Sequence, residues 1–179
     1  MRPPPDITLR PAIESDAPFL RMLRQATMRG VVQRHRPWIE EEQERRVMIH
    51  FASARIILTA GREIGLLKVI REPDYVSLVQ VQLLPSYQGL GIGTGVIRGL
   101  QEECGAAGLP IMLEVYVSNR ALSLYTRLGF EIAERLEYSY TMRWQKNEKV
   151  PNTAPEPATT SVTHPAGPDC APDAIAGRL

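Results

Sequence analysis

Apolar residues recur at Phe19, Leu20, Leu23 and Ala26, a spacing of three and four that predicts a helix running to about Arg29. Ser15 and Asp16 just before it offer N-cap chemistry, and Pro18 suits a first helical turn. A short apolar start over residues 7–9 reads as an edge strand. Pro37 opens a second, charge-rich helix over residues 38–52, whose Glu40, Glu41, Glu42, Glu44, Arg45 and Arg46 read as a solvated face. The period then shortens. Residues 55–59 and 64–70 read as strands joined by a hairpin at Ala60-Gly61-Arg62. Residues 76–84 alternate, with Val79, Val81 and Leu83 on one face and Gln80 and Gln82 on the other. A helix over residues 93–107 would turn Val96, Ile97, Leu100 and Cys104 inward. Gly105 and Gly108 can end it, and Pro110 forbids its continuation. Ile111, Leu113, Val115 and Val117 alternate as a strand. Residues 119–128 follow as a helix closed by Gly129, and residues 130–135 and 138–144 form a last strand pair. This order predicts a mixed α/β fold, helices packed on a largely antiparallel central sheet.

After Gln145 the composition changes. Pro151, Pro155, Pro157, Pro165, Pro168 and Pro172 interleave with Ala, Thr and Gly, and no aromatic residue appears. Such a segment cannot bury enough surface to offset its ordering entropy, so residues 146–179 are expected to be a disordered tail behind one domain of residues 1–145. With 179 residues and 44% hydrophobic positions, the chain can bury a core. A net charge of +1 gives no bias toward nucleic acid or membranes. No apolar run approaches the ~20 residues of a membrane helix, and the start, Met1-Arg2-Pro3-Pro4-Pro5-Asp6, has no apolar signal core. Cys104 and Cys170 make no disulfide framework. His35 and His50 lack partners at ligand spacing, so no metal is expected. A cytoplasmic protein is the expectation.

The strongest chemical signal is Leu83-Leu84-Pro85-Ser86-Tyr87-Gln88-Gly89-Leu90-Gly91-Ile92-Gly93, a strand end, a glycine-dense turn and a helix start. Glycines there let main-chain N–H groups approach a ligand closely, at a helix terminus that favours anions. A dinucleotide fingerprint would need a third glycine at Thr94, Val96 or Arg98 in its three possible frames, and a P-loop would need a lysine in this segment. Both are absent. What remains, Gln88-x-x-Gly91-x-Gly93, resembles the Q/R-x-x-G-x-G/A signature of the GNAT superfamily of acyl-CoA N-acyltransferases. A second stretch is similar to that family's other signature. After the strand ending at Val117 come Asn119, Ala121, Leu124, Tyr125, Gly129 and Phe130 in the order N-x-A-x-x-L-Y-x-x-x-G-F.

The resemblance implies a GNAT-like fold with a splayed central sheet, acetyl-CoA as cosubstrate, and direct attack of a primary amine on the thioester. It implies that Val81, Gln82 and Leu83 pair with the pantetheine arm through their backbone. It implies that Gln88, Gly89, Leu90, Gly91, Ile92, Gly93 and Thr94 cradle the pyrophosphate, and that Asn119 contacts the arm. Tyr125 would act as acid toward the leaving thiolate, and Glu114 matches a glutamate that serves as base in some relatives. The residues alone also allow other readings. Val81 and Leu83 suit core packing, Tyr125 suits a buried helix cap, and Glu114 suits a solvated or paired side chain. Trp38, Tyr138 and Tyr140 fit an acceptor pocket or the core equally well. Expected partners are therefore an acyl-CoA and an amine, small or on a protein, without nucleic acid or membrane. Pairing of two copies through strand edges stays open. So do two further readings: a coenzyme A-binding module without turnover, and a protein that recruits partners through its tail.

Overall fold

The computed structural model describes residues 6–146. The expected tail, apart from Lys146, and Cys170 within it lie outside the described residues. Strand β1 (Thr8–Pro11) leads into helix α1 (Ala17–Val32), and α2 (Glu40–Met48) follows. Three strands come next: β2 (Ala54–Thr59), β3 (Arg62–Arg71) and β4 (Val76–Leu83). Helix α3 (Ile92–Ala107), β5 (Ile111–Tyr116), α4 (Ala121–Arg127), β6 (Glu131–Arg135) and β7 (Ser139–Trp144) complete the order. The strands form one sheet in the order β1-β2-β3-β4-β5-β7-β6. Every pairing is antiparallel except that of β4 with β5.

Alternation along the strands sorts the core into two layers. Ile57, Leu67, Val81, Leu83, Leu113 and Val115 face α3 and α4, together with Ile97, Leu100, Ala121 and Tyr125. On the opposite face Ile56 and Leu66 meet Leu20 and Leu23 of α1 and Val47 of α2. Tyr116 joins Met28, Val31 and Val32 farther along that face.

The structure corrects several expectations. Helix α1 continues to Val32, and its stripe passes through Thr27 and Met28, leaving Ala26 exposed. Asp16 does not cap α1. Its carboxylate accepts the Ile13 N–H and a bidentate pair of bonds from Arg10, because the chain enters the helix through a 3-10 turn over Glu14–Asp16. Helix α2 is shorter than its charge-rich stretch. Glu42 is not a solvated residue: Arg36 and Arg46 both donate to it. Gly105 lies inside α3, and only Gly108, at φ +69°, ends the helix. Val79 does not share a face with Val81 and Leu83. Lys68 pairs with Gln80 and Val69 with Leu78, so Val79 is an extra residue, a β-bulge. Leu78 thereby joins Val81 and Leu83 in the α3-side core.

That bulge follows the last contact of β4 with β5. The two parallel strands pair only at Val76 with Ile111 and Ser77 with Met112, and then part. Beyond Ser77, β4 has β3 on one side and, among the described residues, no strand on the other.

Two residues of β3 shape this region. Gly65 of β3 lies opposite Leu83. A Cβ there would collide with the Gln82 carbonyl oxygen and press on Leu83 Cδ2 at 2.8 Å. Lys68 is buried and donates to the carbonyls of Val47, 3.3 Å, and Ile49, 2.6 Å, at the C-terminal end of α2. Its positive charge suits that end of the helix dipole. Burial, with Arg24 nearby, nonetheless lowers its pKa to about 8.

Gly65→Ala should cost about 2 kcal/mol or more in urea unfolding, because the collision is with backbone; an unchanged midpoint would show that β4 can yield. Lys68 supplies a pH test. The unfolded lysine keeps its proton up to about pH 10.5, the folded one only to about 8. Between those values the fold binds fewer protons, so stability rises with pH, by up to about 3 kcal/mol. Unfolding curves of wild type minus Lys68→Met should show that rise between pH 8 and 10.5; a flat difference would contradict the buried charge.

Candidate functional site

Where β4 and β5 part, the main-chain groups of β4 on its open edge have no strand partner among the described residues. Val81, Gln82 and Leu83 sit on this segment, all fully buried. Val81 and Leu83 pack toward α3, whereas Gln82 faces α1 and α2. The strand ends in a 3-10 turn, Pro85–Tyr87, and the chain turns through residues 88–91 into α3.

This turn is built on glycine. Gly89 and Gly91 have φ of +73° and +82°, where side chains are strained, and the space above each is open. Gly95, one turn into α3, is open as well. Gly91 is the N-cap, so α3 begins at Ile92, one residue ahead of the sequence expectation. No side chain caps it and no acidic residue stands in its first turn. Its leading N–H groups therefore point outward without a built-in acceptor, which is the donor set an anion requires. Thr94 is half-buried in the first turn and Leu90 is exposed. Gln88 does not reach outward: its amide donates to the Leu83 carbonyl at 2.8 Å and ties the turn to the strand end.

Tyr125 comes from α4 and lies in the same core cluster as Val81, Leu83 and Val115, the residues flanking the parted strands. Its ring meets Phe130 edge-on at 5.5 Å. The hydroxyl is fully buried and has no hydrogen-bond partner among the described residues. Leaving such a group unpaired costs about 1–3 kcal/mol. Burial also drives its pKa well above the ordinary phenol value. Asn119 is buried, and its side-chain oxygen accepts the Ala121 N–H at 3.0 Å, which fixes the start of α4.

Glu114 lies on the opposite face of the sheet, since Leu113 and Val115 pack toward Tyr125. Ser139 Oγ donates to it at 2.5 Å from β7. Burial outweighs that bond and raises the carboxyl above the ordinary range, with Arg46 acting to lower it and Glu134 to raise it further. On the same face Glu42 lies between Arg36 and Arg46. Burial opposes its ionisation, but these two donors prevail and keep it low.

Some features had no counterpart in the sequence reading. Among them are a guanidinium, Arg24, buried under α2, and a tether in which His35 meets Ser118 Oγ at 2.8 Å and stacks on Tyr116. Arg24 had a legible signal: four residues after Leu20 and four before Met28, it stands on the apolar stripe of α1. The tether joins residues 83 positions apart and had none. Trp38 packs with the Tyr116 cluster, and Tyr140 packs against the α3-side core, so these two serve the core at least in part. Tyr138 is more exposed and lies tilted against His35. Among the described residues no His, Cys, Asp and Glu group could hold a metal ion, and no helix is long and apolar enough to cross a membrane.

Comparison with known proteins converges on the same region. Residues 46–132 match the family model of the acetyltransferase (GNAT) domain. No curated protein matches significantly by sequence. Among solved structures, the PaiA N-acetyltransferase of Thermoplasma acidophilum, in complex with coenzyme A, aligns with a TM-score of 0.66 at 15% identity, over 78% of this chain and 99% of that one. The ribosomal-protein-S18-alanine N-acetyltransferase of Escherichia coli aligns at 0.60 and 21% identity, over 83% and 99%. A GCN5-related N-acetyltransferase of Rhodopseudomonas palustris gives 0.58 and 22%, over 81% and 97%. These likenesses establish the fold, and the family model spans β2 to β6, from the open strand through the glycine turn to Tyr125. Residues 46–132 of the chain thus match a GNAT acetyltransferase domain, within a fold shared with these solved N-acetyltransferases.

Proposed function

We propose that this protein transfers the acetyl group of acetyl-CoA to a primary amine, with the thioester held where β4 and β5 part. One observation carries the reading. The sheet carries a carboxylate on one face, Glu114 of β5, and on the other a buried phenol, Tyr125, with no hydrogen-bond partner among the described residues and in one core cluster with Val81 and Leu83. Acyl transfer to an amine needs a proton acceptor on the nucleophile's side and a donor on the leaving group's side. A sheet split between those two groups separates the tasks in space.

The backbone of Val81, Gln82 and Leu83 extends the sheet toward the pantetheine arm, replacing the strand that β5 no longer supplies. Gly89, Leu90, Gly91, Ile92, Gly93 and Thr94 present the N–H groups and open space for the pyrophosphate, with Gln88 bracing the turn from behind. Since the turn bears no Lys or Arg, main-chain donors and the α3 dipole supply the attraction. Asn119 contributes by setting α4 and hence Tyr125. Acetyl-CoA supplies the activated acyl carbon and a thiolate leaving group. Glu114, its pKa raised by burial, is a better proton acceptor than an exposed carboxylate, and takes the proton of the attacking ammonium directly or through water. Tyr125 stays protonated at any working pH and donates its hydrogen bond to the charge that develops on sulfur. The domain that does this spans residues 1–145, and catalysis is independent of residues 146–179.

Calorimetry and thiol release against an amine panel test the reading together. Acetyl-CoA should bind, and an amine should accelerate thiol release; absence of acetyl-CoA binding would overturn the assignment. Binding without release for any amine would favour a coenzyme A-binding module instead. Tyr125→Phe should lower kcat about 10- to 100-fold while the acetyl-CoA Kd stays within about twofold, and an unchanged kcat would remove the phenol from the chemistry. Glu114 acts only when ionised, so activity should fall as pH drops through its pKa, which lies above 4.5. In Glu114→Gln that acidic limb should vanish and kcat/KM at pH 8 should drop about 100-fold. Retention of the limb would assign the base elsewhere.

A further inference from the structure

Resting on that reading, we propose that the acceptor amine carries a carboxylate, and that the buried guanidinium of Arg24 recognises it together with the amides of Gln43 and Gln82. Arg24 is 2% exposed. Its Nε donates to Gln43 Oε1 at 2.9 Å, but Nη1 and Nη2 have no partner among the described residues. Gln43 Nε2 and Gln82 Nε2 are likewise buried without acceptors, and Gln80 Oε1 lacks a donor. Arg24, Gln80 and Gln82 line one small cavity with Leu20, Val47 and Leu66. Buried polar atoms are rarely left unpaired, and here several converge around one space.

Their chemistry is lopsided. The guanidinium and two amides bring donors, against one acceptor oxygen. Water would satisfy few of these donors, since it brings two protons of its own. A carboxylate oxygen accepts several hydrogen bonds, and those from the guanidinium are strengthened by its charge. The cavity, about 10 Å³, has room for one such oxygen, with the rest of its molecule outside.

Charge points the same way. Arg36 and Arg46 are held by Glu42, whereas Arg24 and Lys68 form no ion pair among the described residues. Burial, with Arg46 and Arg36 nearby, lowers Arg24 to about 9, and the opposing charge of Glu42 does not make up for it. Position completes the argument. Gln80 and Gln82 belong to the segment of β4 that β5 has left, and they face α1 and α2, the face that also carries Glu114. A carboxylate anchored at Arg24 thus belongs to a molecule on the base's side of the gap. Amino acids and short peptides have that chemistry.

The test pairs ligands that differ only in charge. N-acetylglycine, a product of the proposed type, is titrated against its neutral amide N-acetylglycinamide, using both free and CoA-loaded protein. The acid should bind at least about tenfold tighter. Arg24→Met should remove the difference and leave the CoA Kd unchanged. That variant exchanges an uncompensated buried charge for an apolar side chain of similar length, so it should fold at least as stably; Arg24→Gln serves as a second check. In thiol release, amino acids should exceed their own amides in kcat/KM by a similar factor, lost in the variants. Equal binding of acid and amide, or a preference that survives loss of Arg24, overturns the proposal. So does Arg24-dependent stabilisation by sodium chloride equal to that by the acid, which would mark a monatomic-anion site. Protein that binds acetyl-CoA but ignores the carboxylate sinks only this inference; protein that binds no acetyl-CoA sinks the acyltransfer reading, while the acid–amide comparison on free protein still decides the Arg24 site.

Discussion

The separation of β4 from β5 is the constraint on which the rest of the site depends. Two parallel strands that start as neighbours lose contact after Ser77 and Met112. The bulge at Val79 gives a local cause, because an extra residue bends a strand and increases its twist. Strand β4 then follows β3, to which it is tightly registered, and β5 follows β7 along its full length. Strands β4 and β5 thus keep their ladders to β3 and β7 while the backbone groups they turn toward each other lose theirs. A slot lined by backbone donors and acceptors is specific for an extended chain with amide groups, without a single dedicated side chain.

The two faces of that slot differ in dielectric character. On the α3 and α4 side, the packing is apolar, and Tyr125 is its one polar atom left without a partner near the slot. On the α1 and α2 side, two apolar clusters accompany buried polar and charged groups, Arg24, Gln43, Lys68, Gln80 and Gln82, and half-buried ones, Glu114 and the Glu42 ion pairs. Burying so many such groups is costly in the absence of a partner. On the proposed reading the polar face meets the acceptor and the apolar face the leaving group, which accounts for that cost.

The turn into α3 shows the same economy of side chains. With no acidic residue and no capping side chain in its first turn, α3 keeps its N-terminal N–H groups available. Gln88 is spent on holding the turn to Leu83. Electrostatic attraction for an anion then comes from aligned peptide dipoles, whose positions are fixed by the helix rather than by flexible side chains.

The sequence alone determined the element order, the glycine turn and the Asn119-to-Phe130 signature. These depend on local rules: periodicity, the left-handed φ that Gly89 and Gly91 adopt, and fixed spacing along one helix. Alternation also placed Leu113 and Val115 on one strand face with Glu114 on the other. It erred at Val79, because a bulge is a property of a strand pair and leaves no mark in either strand. It erred at Asp16 and Glu42, whose partners Arg10, Arg36 and Arg46 are chosen by how the chain folds back. Only the tertiary structure decided where β4 and β5 part, that Tyr125 and Glu114 lie on opposite faces of the sheet, and that the two Nη atoms of Arg24 end without a partner among the described residues. Each of these is a relation between segments far apart in the chain, and periodicity within a segment carries no information about which partner, or which empty space, it will meet.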